Sequence, residues 1–365
     1  MEIPLQNLPF PNEEELESRA VLKKAALANR YLAELKGIAA TIPNEAILIN
    51  TLTLQEAKDS SEVENIITTH DDLFKAGIFA DYIQSPAAKE VQDYATAIRQ
   101  GFVQVRETRL IRLTDIIAIQ RVLEKNRAGL RKLPGTELKN QQTGEVIYTP
   151  PQDATQIEAL MNNLVDYIND DTLSDVEPLV KMALIHHQFE SIHPFYDGNG
   201  RCGRILNILY LNARGLLDLP VLYLSRYFIR DKGEYYRQLQ AVREGNGWES
   251  WLLYMLEGVV QTSQQTISLI KQINTLMQRY KHGIRNDLSK VYSQDLINNL
   301  FRHPYTKIEF VMNDLCVSRI TATKYLQQLV EGGYLRKAKI GRSNYYINEA
   351  LFGLLSENPE AEQAN

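Results

Sequence analysis

One stretch of twelve residues constrains this chain more than any other part of the sequence. Residues 193–204 are His-Pro-Phe-Tyr-Asp-Gly-Asn-Gly-Arg-Cys-Gly-Arg, and an apolar, helix-like segment follows them. Gly198 and Gly200 allow a tight turn that brings consecutive backbone N–H groups close to a ligand. A helix that begins at this turn favours a phosphate there, because its N-terminal amides and its dipole attract anions.

The polar side chains of the same stretch indicate what kind of anion binds. Arg201 and Arg204 lie three residues apart, so on a helix they share one face and reach the same anion. Asp197 is a hard oxygen ligand of the kind that Mg²⁺ uses together with substrate phosphates. His193 has the ordinary pKa of a general base near neutral pH. The stretch therefore predicts a nucleoside-triphosphate site beside a proton acceptor. The alternative is a glycine-rich helix start whose arginines pair with nearby carboxylates. It would explain the glycines, but not the presence of the base, the metal ligand and the two arginines together.

The stretch also resembles the signature of the Fic family, H-x-F-x-[DE]-G-N-G-R-x-x-R. Every fixed position matches, at His193, Phe195, Asp197, Gly198, Asn199, Gly200, Arg201 and Arg204. The resemblance implies a protein adenylyltransferase, which transfers AMP from ATP to a Ser, Thr or Tyr hydroxyl of a target protein and of itself. An intact Gly-Asn-Gly favours this activity over that of relatives that transfer a phosphate.

The roles of individual residues follow from the same resemblance. His193 is expected to be the general base, and Asp197 is expected to hold Mg²⁺ at the α- and β-phosphates of ATP. The remaining phosphate-binding groups are expected to be the amides of Gly198, Asn199 and Gly200 and the side chains of Arg201 and Arg204.

Residues 59–65, Asp-Ser-Ser-Glu-Val-Glu-Asn, allow two interpretations. From composition alone they predict a helix start, with Asp59 or Ser60 as the N-cap and acidic residues in the first turn. They also resemble the [ST]-x-x-x-E-[GN] motif of the inhibitory helix in regulated Fic proteins. The matching residues are Ser60, Glu64 and Asn65. The resemblance implies that Glu64 pairs with Arg204 and occupies part of the γ-phosphate site, because a carboxylate and a phosphate compete for one guanidinium.

Residues 127–151 predict a β-hairpin. Pro134, Asn140 and Gly144 are turn residues, and residues 145–149 have β-type composition. In Fic proteins a hairpin at this place is a flap over the active site that aligns the backbone of the target by strand addition. A hairpin that simply faces solvent is the alternative. We call residues 127–151 the flap.

Two aromatic residues are candidates for the adenine pocket. Tyr235 and Tyr236 match a Tyr-Tyr pair that lines this pocket in Fic relatives. The alternative is that at least one of them packs on the core. Arg243 stands about where some relatives place an asparagine near the base.

His186, His187 and His193 lie within eight residues, yet the sequence does not predict a histidine metal site. Adjacent histidines on a helix point in different directions, and no His-Glu-x-x-His pattern is present. We expect one of His186 and His187 to be packed in the core.

Residues 291–352 resemble a winged-helix domain. Three short helices are predicted before a hairpin whose strands are joined at Gly341-Arg342. Their ranges are 295–302, 308–315 and 318–331 for the helices, and 334–340 and 343–347 for the strands. Residues 301–350 hold eight Lys/Arg and four Asp/Glu, a local charge of +4 in a chain of −5. That sign suits DNA, but winged helices also dock proteins, and both partners stay open.

Composition is that of a soluble globular protein, with 44% hydrophobic and 23% charged residues. Cys202 and Cys316 show no spacing typical of a disulfide framework or a zinc site. The N-terminus lacks a basic start and an apolar leader, and no uncharged run reaches about 18 residues. We therefore expect a cytoplasmic protein that does not enter a membrane.

The predicted fold is mostly α, a Fic helical core with a β-hairpin flap and two appended domains. The predicted parts are an N-terminal helical domain with the inhibitory helix (1–95), the Fic catalytic core (96–260), a connecting helix (261–290), a winged helix-turn-helix domain (291–352) and a disordered tail (353–365). Two other functions stay open: removal of AMP by the same site, and a DNA-binding regulator that senses nucleotide. The target protein and a homodimeric state are also open.

Overall fold

The chain is mostly helical, as its sequence predicts. The computed structural model describes residues 5–76, 85–139, 143–245, 247–340 and 343–356. The α-helices are α1 (Arg19–Ala39), α2 (Glu45–Val63), α3 (His70–Ala76), α4 (Pro86–Thr108), α5 (Leu113–Glu124), α6 (Ala154–Asn169), α7 (Pro178–Ile192), α8 (Asn199–Ala213), α9 (Ser225–Arg230), α10 (Lys232–Arg243), α11 (Trp248–Asp287), α12 (Gln294–Arg302), α13 (Ile308–Leu315), α14 (Arg319–Glu331) and α15 (Glu349–Ser356). The strands are β1 (Leu138–Lys139), β2 (Val146–Tyr148), β3 (Tyr305–Thr306), β4 (Arg336–Ile340) and β5 (Ser343–Ile347).

The helix-start interpretation of residues 59–65 is wrong. Asp59 and Ser60 lie in the last turns of α2, which ends at Val63, so neither is an N-cap. Asn65 follows the helix with φ = 64°, a left-handed conformation that asparagine adopts more readily than most residues. Acidic side chains near a helix C-terminus interact unfavourably with the helix dipole, so we expect positively charged partners for them elsewhere in the chain.

Two other segments show where helices begin and end. Arg109 lies between α4 and α5 with φ = 57°, so the two helices are separate. In contrast, α11 runs without a break for 40 residues and contains most of the predicted connecting helix (261–290) together with residues before it. Apolar periodicity identifies a helix more reliably than it identifies its ends.

The chain divides into two compact units. The first contains the described residues of Met1–Lys36, Asp59–Ile66 and Asp93–Gln264. Its centre is α7, in which every residue from Leu179 to Ile192 is buried, packed against the largely buried α8. The indole of Trp251 lies in the same core and donates to the Ala183 carbonyl at 3.0 Å.

The second unit contains the described residues of Gly37–Lys58, Ile67–Gln92 and Gln265–Asn365. In it, the chain order is α12, β3, α13, α14, β4 and β5, and the three strands form an antiparallel sheet of order β3-β5-β4. This arrangement has the helices and wing that the sequence predicts. The predicted turn at residues 341–342 and the tail from residue 357 lie outside the described residues, and the domain boundaries proposed above stay predictions.

Among the residues that the structure describes, no helix is both long enough and apolar enough to cross a membrane.

Candidate active site

Residues 193–198 form the loop that joins the two central helices. His193 ends α7 with φ = 48°, and Gly198 precedes α8 with φ = 80°, which glycine adopts without a steric penalty. The Asn199 side chain closes the loop: its Oδ1 accepts from the Phe195 amide and its Nδ2 donates to the Phe195 carbonyl, both at 2.8 Å. Asn199 therefore shapes the turn with its side chain, and only its backbone is left for a ligand.

The backbone on either side of His193 is held by Arg131. Its Nε donates to the His193 carbonyl at 2.7 Å, and its guanidinium also donates to the Ile192 and Pro151 carbonyls. The Arg131 amide adds a bond of 2.9 Å to the Pro194 carbonyl. A left-handed non-glycine residue costs free energy and persists only where its surroundings fix it, and Arg131 supplies contacts that do so.

His193 is positioned as a neutral base. Burial lowers the pKa of its imidazole to about 4, and the positive charges of Arg243 and Arg131 act in the same direction. Among the described residues, its Nδ1 has no hydrogen-bond partner. The ring is thus unprotonated at neutral pH and able to accept a proton.

Arg204, one turn inside α8, is fully engaged. Its Nε donates to Ser60 Oγ at 2.7 Å, and its Nη2 donates to the Ser60 carbonyl at 3.0 Å and to Glu64 Oε1 at 2.8 Å. The Arg204 side chain is 1% exposed and that of Glu64 is 32% exposed. The structure therefore brings together Ser60, Glu64 and Arg204, which are far apart in the sequence.

The Glu64 carboxylate lies directly over the turn at the start of α8. A Cβ added at Gly200 would collide with Glu64 Oε1, so the glycine makes room for this carboxylate. Burial alone would raise the pKa of Glu64, but the charge of Arg204 and its hydrogen bond hold that pKa below its usual value. Asn65, the next residue, accepts a 2.8 Å bond from Lys232 Nζ through its Oδ1.

A second carboxylate meets the other arginine. Arg201 Nη2 donates to Glu124 Oε1 at 2.6 Å, with the two side chains 5% and 14% exposed. The same oxygen would lie only 2.6 Å from a Cβ added at Gly198. Each arginine that the sequence assigns to phosphate is thus paired with a glutamate.

Asp197 is the candidate metal ligand. It is exposed, and its Oδ1 accepts from the Gly198 amide at 2.7 Å, so that amide is used within the loop. Within the described part of the chain, no group of three or more His, Cys, Asp or Glu is arranged to hold a metal. A single exposed carboxylate fits Mg²⁺, which commonly takes one protein carboxylate together with substrate phosphates and water.

The two candidate adenine-pocket tyrosines have different environments. Tyr235 is 1% exposed, stacks on Phe228 at 4.5 Å and donates or accepts a 2.9 Å bond with His186 Nε2. Tyr236 is 43% exposed, so of the two tyrosine rings only that of Tyr236 is accessible to a ligand. His186 and His187 are both buried, and burial lowers their pKa values, so both pack as neutral core residues.

The flap forms the predicted hairpin. Strands β1 and β2 pair antiparallel with Leu138 opposite Tyr148, and residues 140–142 lie outside the described residues. The Tyr148 hydroxyl donates to the Ser191 carbonyl in α7 at 3.0 Å. Its ring lies 4.1 Å from the guanidinium carbon of Arg243.

Sequence reasoning missed Glu124, Arg131 and Lys232. Glu124 is the last residue of α5, where an acidic side chain opposes the helix dipole, and that misfit was a weak signal of a partner elsewhere. Arg131 and Lys232 gave no signal, because a single basic residue in a polar segment is ordinarily solvated. Glu190 was also missed: it is buried, and its Oε1 has no hydrogen-bond partner among the described residues. Burial raises the pKa of this carboxyl to about 7, and nearby Glu64 acts in the same direction.

Three family models match the chain. They are Fic/DOC family N-terminal at residues 22–103, Fic/DOC family at residues 110–211, and Protein adenylyltransferase SoFic-like, C-terminal domain at residues 276–351. The second of these spans the loop, His193 and both arginines. The chain carries the domains of the Fic/DOC family. The resemblance inferred from residues 193–204 is thereby confirmed.

Curated relatives match part of this Fic chain. Protein adenylyltransferase fic-1 of Caenorhabditis elegans is 30% identical over 137 residues, which is 36% of this chain and 25% of that protein. Protein adenylyltransferase Fic of Aedes aegypti is 29% identical over 141 residues, 38% of this chain and 27% of that protein. The chain thus spans about a quarter of the length of the relatives it matches.

Solved structures share the fold. A Fic family protein from Desulfovibrio desulfuricans has a TM-score of 0.57 and 19% identity, over 90% of this chain and 96% of that one. Fic-1 (aa134–508) from C. elegans has a TM-score of 0.53 and 19% identity, over 72% of this chain and 79% of that one. The predicted mostly α Fic fold is confirmed.

Proposed function

We propose that this protein is a protein adenylyltransferase that moves AMP from ATP to a Ser, Thr or Tyr hydroxyl of a target protein. The observation that carries the proposal is one loop that joins a neutral, half-buried histidine to a helix N-terminus with two buried arginines. The names of the relatives that match the Fic region, protein adenylyltransferases, support the same reaction class.

In this proposal the start of α8 binds the phosphates of ATP. The first amides of a helix point along its axis toward an anion, and those of Asn199 and Gly200 lie at this end. Arg201 and Arg204 neutralise the β- and γ-phosphates once their carboxylate partners are displaced. Asp197 would hold Mg²⁺, which when bound supplies positive charge to the phosphates.

The chemical step needs one proton acceptor. His193 takes the proton from the target hydroxyl while the hydroxyl oxygen bonds to the α-phosphorus. The bond between that phosphorus and the oxygen bridging to the β-phosphate breaks, and pyrophosphate leaves with its electron pair. The products are an AMP ester on the target and a protonated His193, which returns its proton to solvent.

Residues 60–65 act as an inhibitory segment in this proposal. Glu64 occupies Arg204 and the space over Gly200, where a γ-phosphate would otherwise lie. ATP bound against this carboxylate has its α-phosphate out of line for attack. Activity then depends on whether Glu64 leaves Arg204.

The experiment that tests the reaction class compares two labels. Purified protein, alone and with a cell lysate, is incubated with Mg²⁺ and with ATP labelled at the α- or the γ-phosphate. We expect protein-bound label from α-labelled ATP alone. Label from γ-labelled ATP would instead show phosphate transfer and would reject the assignment of the Gly198–Gly200 turn to the productive phosphates.

Removal of AMP is a second candidate, favoured by the position of Glu64. Its carboxylate is about one third exposed at the edge of the phosphate site, where it can orient a water molecule. Incubation of an adenylylated acceptor with wild-type protein and Mg²⁺ tests this reaction. If wild-type protein releases AMP and the Glu64→Gly variant does not, the result supports removal of AMP.

The C-terminal module has a surface that suits either of its two predicted partners, DNA or a protein. Helix α14 presents Arg319, Lys324 and an 84% exposed Ile320, a face that suits either a DNA groove or an apolar protein surface. DNA binding, a homodimer and a cytoplasmic location remain predictions.

A further inference from the structure

Arg243, the last residue of α10, makes an unusual set of contacts. It is half-buried, and among the described residues no carboxylate lies within ion-pair distance of it, while the negative charge of Glu190 acts on it from farther away. Its Nε donates to Ser191 Oγ and its Nη2 donates to the Glu190 carbonyl, both at 3.2 Å. The remaining face of the guanidinium lies over the Tyr148 ring.

Partial burial of a guanidinium that has no carboxylate within ion-pair distance is costly unless its donors and its flat face are both used. Here the donors meet the last turn of α7, and the flat face meets an aromatic ring of the flap. Attraction between a cation and an aromatic face is strongest where both are removed from water. Arg243 therefore joins three elements: α10, the end of α7 and strand β2.

Other contacts fix the same strand. The Tyr148 hydroxyl bonds to the Ser191 carbonyl, so the ring is held at both its face and its edge. Gln240, one turn before Arg243, donates to the Ile147 carbonyl at 3.3 Å. A two-stranded hairpin is marginally stable by itself, so its position depends on such contacts. Meanwhile Val146 and Ile147 remain 43% and 42% exposed.

We propose that Arg243 is a positioning residue that fixes strand β2 of the flap against the C-terminal end of α7, and so sets where an acceptor chain lies relative to His193. The inference rests on the proposed function, in which the flap aligns the acceptor backbone by strand addition. Ser191 and Glu190, the contacts of Arg243 on α7, lie two and three residues before His193. A displaced strand moves the acceptor hydroxyl away from that base, and misplacement by about 1 Å costs about 10²-fold in rate.

The assignment separates Arg243 from nucleotide binding. If Arg243 aligns the flap, its loss weakens use of the acceptor and leaves the KM for ATP unchanged. If Arg243 instead contacted the base, its loss would raise the KM for ATP. The two roles therefore predict opposite results from one pair of titrations.

The test compares Arg243→Met with Arg237→Met, both in a Glu64→Gly parent. Methionine keeps an apolar stem and removes the guanidinium. Arg237 lies on the same helix but is exposed and pairs with Glu234, so it controls for loss of a charge from α10. The acceptor is a full-length His193→Ala copy of the chain, and the rate of α-label incorporation is measured against acceptor and ATP concentration.

Amide hydrogen exchange of residues 146–148 gives a readout that does not need activity. In Arg243→Met we expect exchange there to accelerate at least about tenfold, since local opening is governed by local contacts. We expect the KM for the acceptor to rise about fivefold or more, with the KM for ATP changed by less than about twofold. Arg237→Met should match the parent in all three.

Tyr148→Leu provides an independent second variant. It should reproduce the acceptor defect, and combined with Arg243→Met it should add little, because the two side chains act as one contact. Tyr148→Phe, which keeps the ring, should retain most of the parent's acceptor KM.

The outcomes distinguish this inference from the proposed function. A Glu64→Gly parent that transfers no label overturns the proposed function, and the acceptor role of Arg243 with it. An active parent whose Arg243→Met variant keeps the acceptor KM, or whose strand exchanges no faster, overturns the inference alone. A raised KM for ATP would assign Arg243 to the nucleotide.

Discussion

The two ends of the loop between α7 and α8 differ in how ready they are for catalysis. At one end, burial and nearby positive charge lower the pKa of His193 to about 4, so its ring is already unprotonated at neutral pH. At the other end, Arg204 is bound by Ser60 and Glu64. In the proposed function, control then lies in the occupation of the phosphate site, while the base is neutral throughout.

Loss of the base should have the largest effect. In a Glu64→Gly parent, His193→Ala should reduce AMP transfer by about 10²–10⁴-fold, the usual contribution of a general base. ATP affinity should change little, because His193 meets the incoming hydroxyl and not the nucleotide. The measurements are α-label incorporation and ATP binding by calorimetry; transfer at the parent's rate would remove His193 from the mechanism.

Loss of the inhibitory carboxylate should have a smaller effect of opposite sign. A charged hydrogen bond contributes about 1.5–3 kcal/mol, and exposure of about one third of the Glu64 side chain favours the lower end of that range. Glu64→Gly should therefore raise the initial rate of α-label incorporation by about tenfold, since 1.4 kcal/mol corresponds to a factor of ten. A rate equal to that of the wild type would leave residues 60–65 as an ordinary helix end.

Arg204→Ala is the matched control for that experiment. It removes the same ion pair from the other side, but it also removes a phosphate ligand. We expect no activation in this variant, so activation by both changes would argue against a phosphate role for Arg204.

The smallest expected effect is on the pH dependence of the rate. His193 must be neutral to accept a proton, and its lowered pKa keeps it neutral as pH falls from 8 to about 5. In the Glu64→Gly parent, the acidic limb of kcat/KM should have its midpoint near the His193 pKa of about 4, well below the ordinary value of about 6.5. A midpoint near 6.5 would contradict a base whose pKa is lowered by its surroundings.

Other charged groups near His193 also affect the pH profile, so their effects must be distinguished from the titration of His193 itself. Arg243 and Arg131 face it with positive charge, while Glu64, absent in the parent used, contributes negative charge. Glu190 has a pKa of about 7, so a limb near that value could arise from it. Glu190→Gln provides the control, since it removes this titration and should leave the limb near 4 in place.

Local chemistry made the loop predictable from the sequence. His193, Gly198, Arg201 and Arg204 act within one turn and one helix start, so their spacing alone places them together. The pairing of Glu64 with Arg204 was also anticipated, but only through a motif resemblance. Composition alone predicted that Ser60 lies at the start of a helix, whereas it lies near the end of α2.

The partners brought by distant parts of the chain were not predictable. Glu124 reaches Arg201, and Arg131 reaches the backbone of His193, across 77 and 62 positions of sequence respectively. No periodicity encodes such contacts, because each depends on how separate helices pack. Tyr235 shows the same limit: its place in a paired motif suggested a ligand, but burial against Phe228 and His186 is a property of the folded core.

The left-handed backbone of His193 bears on how an inactive form of this protein should be made. A residue with a Cβ at φ = 48° stores conformational free energy, of order 1 kcal/mol, in the folded chain. Glycine at this position would release that energy and also loosen the unfolded ensemble, so it would alter folding as well as chemistry. Alanine retains the Cβ, and with it the free-energy cost of the left-handed backbone. A loss of activity measured in His193→Ala can therefore be attributed to the missing imidazole.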